Sequence, residues 1–195
     1  MKHPYKIGLT GGIGVGKTTI SQILKTLQIP VFNSDLFAKK LYTNTHIVSV
    51  LKKTFGNTII SGENIDTNKL AHIVFNNKKH LETLNNIIHP IVLRNFNDWY
   101  KKQTTHYIIK ESALLFESET NKNLDKIILV HTPLKLRINR IIKRDKRTQE
   151  EIKKIIKNQL QYKQIKHKAD YIITNNEKKL LTPQILKIHN EIMQL

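Results

Sequence analysis

The chain has 195 residues, of which 39% are hydrophobic and 25% charged, and it contains no cysteine. This length suits one compact domain, with room for an inserted lobe or lid. The lack of cysteine excludes disulfides and thiolate metal sites and agrees with a reducing compartment. No signal-peptide pattern and no apolar run of about 18 residues occurs, so we expect a cytoplasmic protein that does not enter a membrane.

The formal net charge is +18, from 33 Lys and Arg residues against 15 Asp and Glu residues. A positive balance of this size is compatible with nucleic acid, an anionic membrane surface or a polyphosphate ligand. The cations are scattered along the whole chain and form no basic patch with interleaved aromatic residues. A composition rich in Lys, Asn and Ile explains the charge without a specific partner, and we therefore expect no nucleic-acid partner.

The first elements along the chain form a strand, a glycine loop, a helix and a second strand. Residues 6–10 are a short apolar run that ends in glycines, and residues 17–27 carry apolar side chains at helical spacing. Residues 30–32 predict the second strand. This order is a βαβ unit, which predicts a parallel sheet.

The rest of the chain alternates between helical and strand patterns. Helical periodicity dominates residues 36–102, which we interpret as a lobe without strong strands, inserted after the second strand. Residues 106–110, 126–130 and 171–173 are β-branched runs that predict three further strands. Residues 137–168 lack Gly and Pro and predict long exposed helices, and an amphipathic helix ends the chain. The predicted fold class is α/β, with a five-stranded parallel sheet.

Residues 11–18 match the phosphate-loop pattern G-x-x-x-x-G-K-[ST] at every fixed position. The glycines let successive backbone N–H groups turn toward phosphate oxygens, and the next helix directs its positive end at the same place. Lys17 is expected to reach the β- and γ-phosphates in a catalytic role, and Thr18 to ligate Mg²⁺. The loop residues predicted to bind ATP are Gly11, Gly12, Ile13, Gly14, Val15, Gly16, Lys17, Thr18 and Thr19.

The phosphate loop predicts that the protein binds a nucleotide, but it does not predict which molecule accepts the phosphate. No Asn-Lys-x-Asp run and no Asp-x-x-Gly switch after a strand occurs, which disfavours a GTPase. Large nucleic-acid ATPases usually need a longer chain. The remaining class is that of small-molecule kinases.

Several short segments, in order along nearly the whole chain, are similar to one family. They are residues 9–18, Asn33-Ser34-Asp35, His89-Pro90, Leu114-Leu115-Phe116-Glu117, Arg140 through Arg144-Asp145, Gln159, and Ala169-Asp170-Tyr171-Ile172-Ile173 with Asn175. Together they resemble the dephospho-coenzyme A kinases. The resemblance implies transfer of the γ-phosphate of ATP to the ribose 3′-hydroxyl of dephospho-CoA, which is the last step of coenzyme A synthesis.

The same resemblance implies an adenylate-kinase-like P-loop fold in a single kinase domain. Its core would comprise residues of about 1–35, 104–136 and 169–195, with a helical acceptor-binding lobe of about 36–103 and a lid of about 137–168. We expect ATP and Mg²⁺ as cofactors, dephospho-CoA as the partner molecule, and a monomer or weak oligomer.

The chain departs from the family pattern after the second strand. The family usually has Asp-x-Asp there, and the first Asp is a candidate base, but this chain has Asn33, whose carboxamide cannot accept a proton. The second Asp of the pattern is present as Asp35. Another acid, Glu111, lies at the end of the third predicted strand. Because strand carboxyl ends in an open α/β sheet converge on the ligand, we expect both acids to face the γ-phosphate.

We expect Asp35 to bind and orient the 3′-hydroxyl and to accept its proton. Glu111 is expected to substitute for the missing acid or to hold a Mg²⁺-bound water. The structural alternatives are a helix N-cap, formed by Ser34 or Asp35, and a solvated strand end at Glu111.

Arg140, Arg144 and Arg147 lie on or beside one predicted lid helix, with Arg140 and Arg144 four residues apart on one face. The planar guanidinium suits bidentate contact with a transferred phosphate, and lids bring such side chains in on closure. Arg140 is predicted to be catalytic and Arg144 to bind ATP. The alternative is a solvated helix face.

The resemblance also implies roles for two further residues. His89, before Pro90 at a predicted helix break, is expected to contact the acceptor or to serve the structure, and Asn175 is expected near the adenine of ATP. The alternative for Asn175 is an Asn-Asn turn.

Two other functions stay open on the sequence alone. The first is another P-loop kinase, acting on a nucleoside, a nucleotide or a sugar acid. The second is a basic protein that binds nucleic acid or a membrane surface without turnover, for which strongly salt-dependent retention is the test.

Overall fold

The computed structural model describes residues 3–145 and 148–195, and these residues form seven strands and nine α-helices. In chain order the elements are β1 (Tyr5–Thr10), α1 (Lys17–Thr26), β2 (Val31–Asn33), α2 (Ser34–Leu41), α3 (Thr45–Phe55), β3 (Ile60–Ser61), β4 (Asn64–Ile65), α4 (Thr67–Phe75), α5 (Lys78–Tyr100), β5 (Tyr107–Glu111), β6 (Lys126–His131), α6 (Leu134–Asp145), α7 (Gln149–Lys157), α8 (Tyr162–Ile165), β7 (Tyr171–Thr174) and α9 (Leu181–Ile192).

Five strands form one parallel sheet, in the order β2-β5-β1-β6-β7. These are the five strands that the sequence predicts, and the predicted α/β fold class is confirmed. The strands are recognisable because a parallel sheet is covered on both faces, so its strands are nearly continuous apolar runs. All residues of β5 are buried, including Lys110 and Glu111 at its carboxyl end.

The two faces of the sheet carry separate apolar clusters. On one face, Ile7 and Leu9 of β1 pack with Ile20 and Leu24 of α1 and with Ile188 of α9. The opposite face is covered by a second cluster, comprising Leu115, Phe116, Ile127, Leu129 and Ile165. Burial on this opposite face lowers the pKa of Lys110 to about 8.

The chain divides into two compact units. One unit contains the parallel sheet and comprises the residues up to Asn33 together with Trp99–Leu195. The other unit, Ser34–Asp98, contains α2 to α4, the β3–β4 hairpin and most of α5.

Two features of the second unit differ from the sequence prediction. Residues 60–65 form an antiparallel hairpin, which the sequence did not predict because strands of two residues show no periodicity. The predicted helix break at His89-Pro90 is wrong, because α5 runs through Pro90 from Lys78 to Tyr100. Proline removes one helical hydrogen bond, but the buried stripe on both sides of it (Leu84, Ile88, Val92 and Phe96) supports a continuous helix.

Between β6 and β7, apart from residues 146 and 147, the structure describes three α-helices, α6, α7 and α8. The start of α7 has a capping box, in which the side chain of Thr148 accepts from the backbone N–H of Glu151 and the Glu151 carboxylate accepts in return from the N–H of Thr148. Ile141 of α6 packs against Ile152 and Ile156 of α7 in a third apolar cluster. Within residues 3–145 and 148–195, no helix has both the length and the apolar character that crossing a membrane requires.

Candidate active site

The phosphate loop connects β1 to α1 and ends at Gly16, the N-cap residue of α1, whose φ of 92° lies in the left-handed region. A Cβ atom at Gly16 would overlap the side-chain nitrogen of Asn175, so both the backbone angle and the available space require glycine. Gly16 provides no side-chain cap to the first turn of α1, and no acidic residue lies in that turn. The N–H groups and positive dipole end of α1 are therefore suited to an anion.

Lys17 is the first residue of α1, and its side chain is directed back over the loop. Its Nζ donates a hydrogen bond to the carbonyl oxygen of Gly11 at 2.8 Å, and the residue is only 8% exposed. A buried ammonium beside a set of backbone N–H groups gives the loop a concentrated positive field. The contact of Lys17 with the β- and γ-phosphates, which the sequence pattern predicts, stays a prediction.

The outer part of the loop is fixed by two side chains from outside it. Nε of Arg137, on α6, donates to the carbonyl oxygen of Ile13 at 2.9 Å. The backbone N–H of Ile13 donates to Oε1 of Gln159 at 2.9 Å. A Cβ atom on Gly12 would overlap the ends of both side chains, so a larger residue there would displace Arg137 and Gln159. Burial lowers the pKa of Arg137.

The inner part of the loop is fixed at Val15 by the ends of two strands. The carbonyl oxygen of Val15 accepts a hydrogen bond from Oγ1 of Thr132 at 3.0 Å and another from Nδ2 of Asn175 at 2.8 Å. Thr132 follows β6 and Asn175 follows β7, and both residues are buried. The parallel strands therefore place their polar carboxyl-end residues against the loop.

Glu111 ends β5 beside the loop helix and is only 3% exposed, so it is not a solvated strand end. Oγ of Ser21, on α1, donates to Oε2 of Glu111 at 2.7 Å. In the sheet register, Glu111 is paired with Leu9 of β1 and with Asn33 of β2. A buried carboxylate thus lies on the strand next to the one that carries Asn33 in place of the family's usual acid.

Asp35 and His89 belong to the second unit. Because α2 begins at Ser34, Asp35 lies inside its first turn and does not precede the helix as an N-cap. Its carboxylate is half-buried and lies at the positive end of α2. His89 is a half-buried residue in the interior of α5. The roles in acceptor binding that the sequence suggests for these two residues stay predictions.

Of the three arginines singled out in the sequence, Arg140 and Arg144 lie in the described residues, and they have different surroundings. Nη2 of Arg140 donates to Glu177 at 2.8 Å and to Oδ1 of Asn175 at 3.3 Å, so Arg140 is tied to the same Asn175 that contacts the loop. Arg144 binds the carboxylate of the adjacent Asp145 through two nitrogens, at 2.6 and 2.8 Å, and this contact raises the pKa of Arg144. Arg147 lies outside the described residues.

Asn175 is not simply part of a turn. The turn itself is made by Asn176, whose Oδ1 accepts hydrogen bonds from the backbone N–H groups of Lys178 and Lys179. Asn175 is instead buried between the loop and Arg140. Its predicted contact with adenine stays a prediction.

Comparison with known proteins gives one consistent result. The family model for dephospho-CoA kinase matches residues 5–180. A dephospho-CoA kinase from Fusobacterium nucleatum is 43% identical over 171 residues, which cover 87% of this chain and 89% of the relative. The chain belongs to the dephospho-CoA kinase family.

Solved structures agree with this membership in the dephospho-CoA kinase family. The crystal structure of a Thermus thermophilus protein has a TM-score of 0.84 and 26% identity, covering 99% of this chain and 98% of that one. A dephospho-CoA kinase from Campylobacter jejuni has a TM-score of 0.64 and 28% identity, covering 97% of each chain. The resemblance drawn from the sequence is confirmed.

The donor atoms of this dephospho-CoA kinase family member fit a magnesium ion. Thr18 and Ser21 are three residues apart on α1 and therefore share a helix face, and Ser21 contacts Glu111. Hydroxyl and carboxylate oxygens are hard donors of the kind that Mg²⁺ takes, usually together with waters and substrate phosphates. Thr18 is exposed at the helix start, where an ion shared with phosphates can reach it.

The structure adds site residues that pattern reasoning did not assign to the loop. Gln159 entered the resemblance as one matching position, but nothing in the sequence indicates its contact with Ile13. Arg137 lies three residues before Arg140 and was not singled out. Thr132 and Ser21 were also missed, although Ser21, four residues after Lys17 on one helix face, carried a usable signal.

Proposed function

We propose that this chain transfers the γ-phosphate of ATP to the ribose 3′-hydroxyl of dephospho-CoA, giving CoA and ADP in the last step of coenzyme A synthesis. The observation that carries the proposal is the match to the dephospho-CoA kinase family over residues 5–180, in a chain whose phosphate loop is intact. The family membership supports the acceptor, and the loop supports the phosphate donor.

The donor side of the proposed reaction depends on residues 11–19. The backbone N–H groups of the loop and of the first turn of α1 bind the β- and γ-phosphates, and Lys17 neutralises charge that develops on the transferred group. Thr18 ligates Mg²⁺, which offsets phosphate charge when it is bound. Phosphoryl transfer needs little covalent help from a protein, so positioning and charge account for most of the proposed catalysis.

On the acceptor side, Asp35 is the second acid of the family pattern, and Glu111 takes the place of the first acid, which is Asn33 in this chain. We assign Asp35 to orienting the 3′-hydroxyl and accepting its proton. Glu111 has the buried position next to Asn33 in the sheet, and its bond from Ser21 fixes the carboxylate beside α1. In this proposal Glu111 supplies beside Asp35 the negative charge that Asn33 lacks, or it holds a magnesium-bound water.

The remaining assignments concern the lid and the surroundings of the reaction. Arg140 stabilises the transferred phosphate, Arg144 and Asn175 bind ATP, and His89 contacts the acceptor. We expect a cytoplasmic enzyme that is a monomer or weak oligomer and has no nucleic-acid partner.

The deciding experiment incubates the purified protein with ATP, Mg²⁺ and dephospho-CoA and detects CoA by mass spectrometry. We expect CoA and ADP in equal amounts, with no product when EDTA removes the metal. A parallel assay of ADP release with nucleosides, nucleotides and sugar acids tests other acceptors. Turnover of one of these without turnover of dephospho-CoA would contradict the proposal, as would salt-dependent retention on nucleic acid without any ADP release.

A further inference from the structure

Ser21 lies in the middle of α1, on the side of the helix that faces the sheet. It is only 4% exposed, and Ile20 and Leu24 beside it belong to the apolar cluster that α1 forms with β1. A hydroxyl group in such surroundings costs free energy unless it is hydrogen-bonded. Serine is also a poorer helix former than alanine, so neither packing nor helix propensity accounts for this residue.

The Ser21 hydroxyl is used for a contact between distant parts of the chain. In the interior of a helix, a serine hydroxyl can donate to the backbone carbonyl of the preceding turn. Here Oγ of Ser21 donates instead to Oε2 of Glu111, at 2.7 Å and across 90 residues of chain. Because a hydroxyl has one proton to donate, this contact uses the only donor of the side chain. The serine therefore serves Glu111 and not the helix.

The carboxylate of Glu111 needs a contact of this kind to have one fixed orientation. A glutamate side chain has one more rotatable torsion than aspartate, and its terminal torsion has only a broad preference. Glu111 is buried, so bulk water does not surround its carboxylate. A hydrogen bond from a hydroxyl to an ionised carboxylate is short and strong, and it selects one orientation of the group.

The same contact relates Glu111 to the first turn of α1. Ser21 is four residues after Lys17, so the two side chains share one face of the helix. Lys17 is held at the phosphate loop by its hydrogen bond to the carbonyl oxygen of Gly11. The single helical turn between residues 17 and 21 is rigid, and it therefore fixes the position of the Ser21 donor relative to the loop lysine.

We propose that Ser21 is a positioning residue for phosphoryl transfer, which acts by holding the carboxylate of Glu111 in the orientation that the reaction needs. This inference rests on the proposed function, which gives Glu111 a part in the reaction. Ser21 acts through Glu111 and contacts neither ATP nor the acceptor, so its loss should lower kcat without weakening the binding of either substrate. The alternative is a hydroxyl that only satisfies a buried carboxylate and supports the fold.

The test is a double-mutant cycle that comprises Ser21→Ala, Glu111→Gln and the double variant. Alanine favours the helix, so Ser21→Ala is expected to fold. Initial rates of CoA formation are measured against ATP and against dephospho-CoA, and thermal unfolding is followed for each variant. We expect Ser21→Ala to lower kcat about tenfold, or about 1.4 kcal/mol, and to leave both KM values within about twofold. In the Glu111→Gln background the same substitution should lower kcat by about twofold or less, because no carboxylate is left to position.

The matched control is Ser118→Ala, which removes another serine hydroxyl with a short hydrogen bond. Oγ of Ser118 donates to the carbonyl oxygen of Leu114 at 2.6 Å and also contacts Oγ1 of Thr120. Neither of these partners belongs to the candidate site. We therefore expect kcat and both KM values of the control variant to stay within about twofold of the wild-type values.

Three results would overturn the inference and leave the proposed function intact. The first is a wild-type kcat in Ser21→Ala. The second is a tenfold loss that persists in the Glu111→Gln background, because Ser21 would then act through another group. The third is an equal loss in Ser118→Ala, or a change in thermal stability alone, either of which would assign the hydroxyl to the fold. If the wild-type protein forms no CoA but releases ADP with another acceptor, the proposed function is wrong, and the same cycle measured with that acceptor decides on Ser21.

Discussion

The phosphate loop and two arginines of α6, Arg140 and Arg144, are both rich in polar groups, but they are fixed in different ways. Ile13 and Val15 of the loop are bonded by side chains that lie 117 to 160 residues away along the chain. Arg144 is paired with the adjacent Asp145, and Arg140 with Glu177, which is 59% exposed. The loop is therefore preorganised by tertiary structure, whereas Arg140 and Arg144 form ion pairs that water weakens.

This difference predicts which substitutions will reduce the reaction rate strongly and which will reduce it little. Preorganised groups need no rearrangement when charge develops on the transferred phosphate, so their loss should reduce the rate strongly. Exposed ion pairs contribute little and are exchanged readily for another anion, such as a bound phosphate. The four predictions below test this contrast, from the largest expected effect to the smallest.

The largest effect is expected for Lys17→Met. The substitution keeps most of the length of the buried side chain and removes its charge from the centre of the preorganised loop. We expect kcat for CoA formation to fall by about 1,000-fold, as when a fixed charge-stabilising donor is lost. The measurement is single-turnover formation of CoA, with thermal unfolding as the control for folding. A loss smaller than about tenfold would show that the loop does not stabilise the transferred charge.

The second test asks whether Glu111 belongs to the preorganised set. Glu111→Gln removes the charge of the buried carboxylate but retains an oxygen that can accept from Ser21. We expect kcat to fall by about 100-fold, because a preorganised buried charge beside the phosphate loop is lost. Asp35→Asn is the matched comparison, because it makes the same change at the other candidate acid. ATP binding, followed separately by calorimetry, should be affected much less than kcat.

The outcomes of this pair assign the base. If Asp35→Asn abolishes turnover while Glu111→Gln mainly raises the Mg²⁺ requirement, Asp35 is the base and Glu111 holds a metal-bound water. Wild-type rates in both variants would remove both carboxylates from the mechanism.

The third prediction compares two arginines of the same helix. Arg137→Ala removes a half-buried guanidinium that contacts Ile13, whereas Arg144→Ala removes an exposed one paired with Asp145. We expect KM for ATP to rise about tenfold in the first variant, since a hydrogen bond from a charged group contributes about 1.5–3 kcal/mol. In Arg144→Ala we expect a rise of about twofold or less. Equal rises in KM for ATP in the two variants would contradict the prediction that contacts to the loop matter more than exposed ion pairs.

Sequence reasoning succeeded where the signal is local. The five sheet strands are short β-branched runs, and the phosphate loop is one uninterrupted motif from Gly11 to Thr18. It failed for the hairpin at residues 60–65, whose strands are too short to show a period, and for α5, where burial of one helix face outweighs the effect of Pro90.

The residues of the candidate site also divide into those with a local sequence signal and those without one. Lys17 and Thr18 are placed by the motif itself, and Glu111 by its position at a strand end. The contacts of Arg137 and Thr132 with the loop span 124 and 117 residues of chain, and no local pattern encodes them. Such contacts depend on how α6 and β6 are packed, which only the folded structure provides.

The smallest effect is expected for Glu177→Gln, which removes one partner of Arg140 and leaves the other, Asn175, in place. Because the Glu177 side chain is 59% exposed, its ion pair should contribute about 0.2–1 kcal/mol or less. We expect kcat and KM for ATP to change by about twofold at most, with the difference disappearing at high salt. Arg140→Ala, assayed in parallel, should lower kcat clearly more, since it removes the cation and not merely its exposed partner. If Glu177→Gln proved as damaging as Arg140→Ala, Arg140 would need its carboxylate partner to act, and the ion pair would belong with the preorganised contacts of the loop.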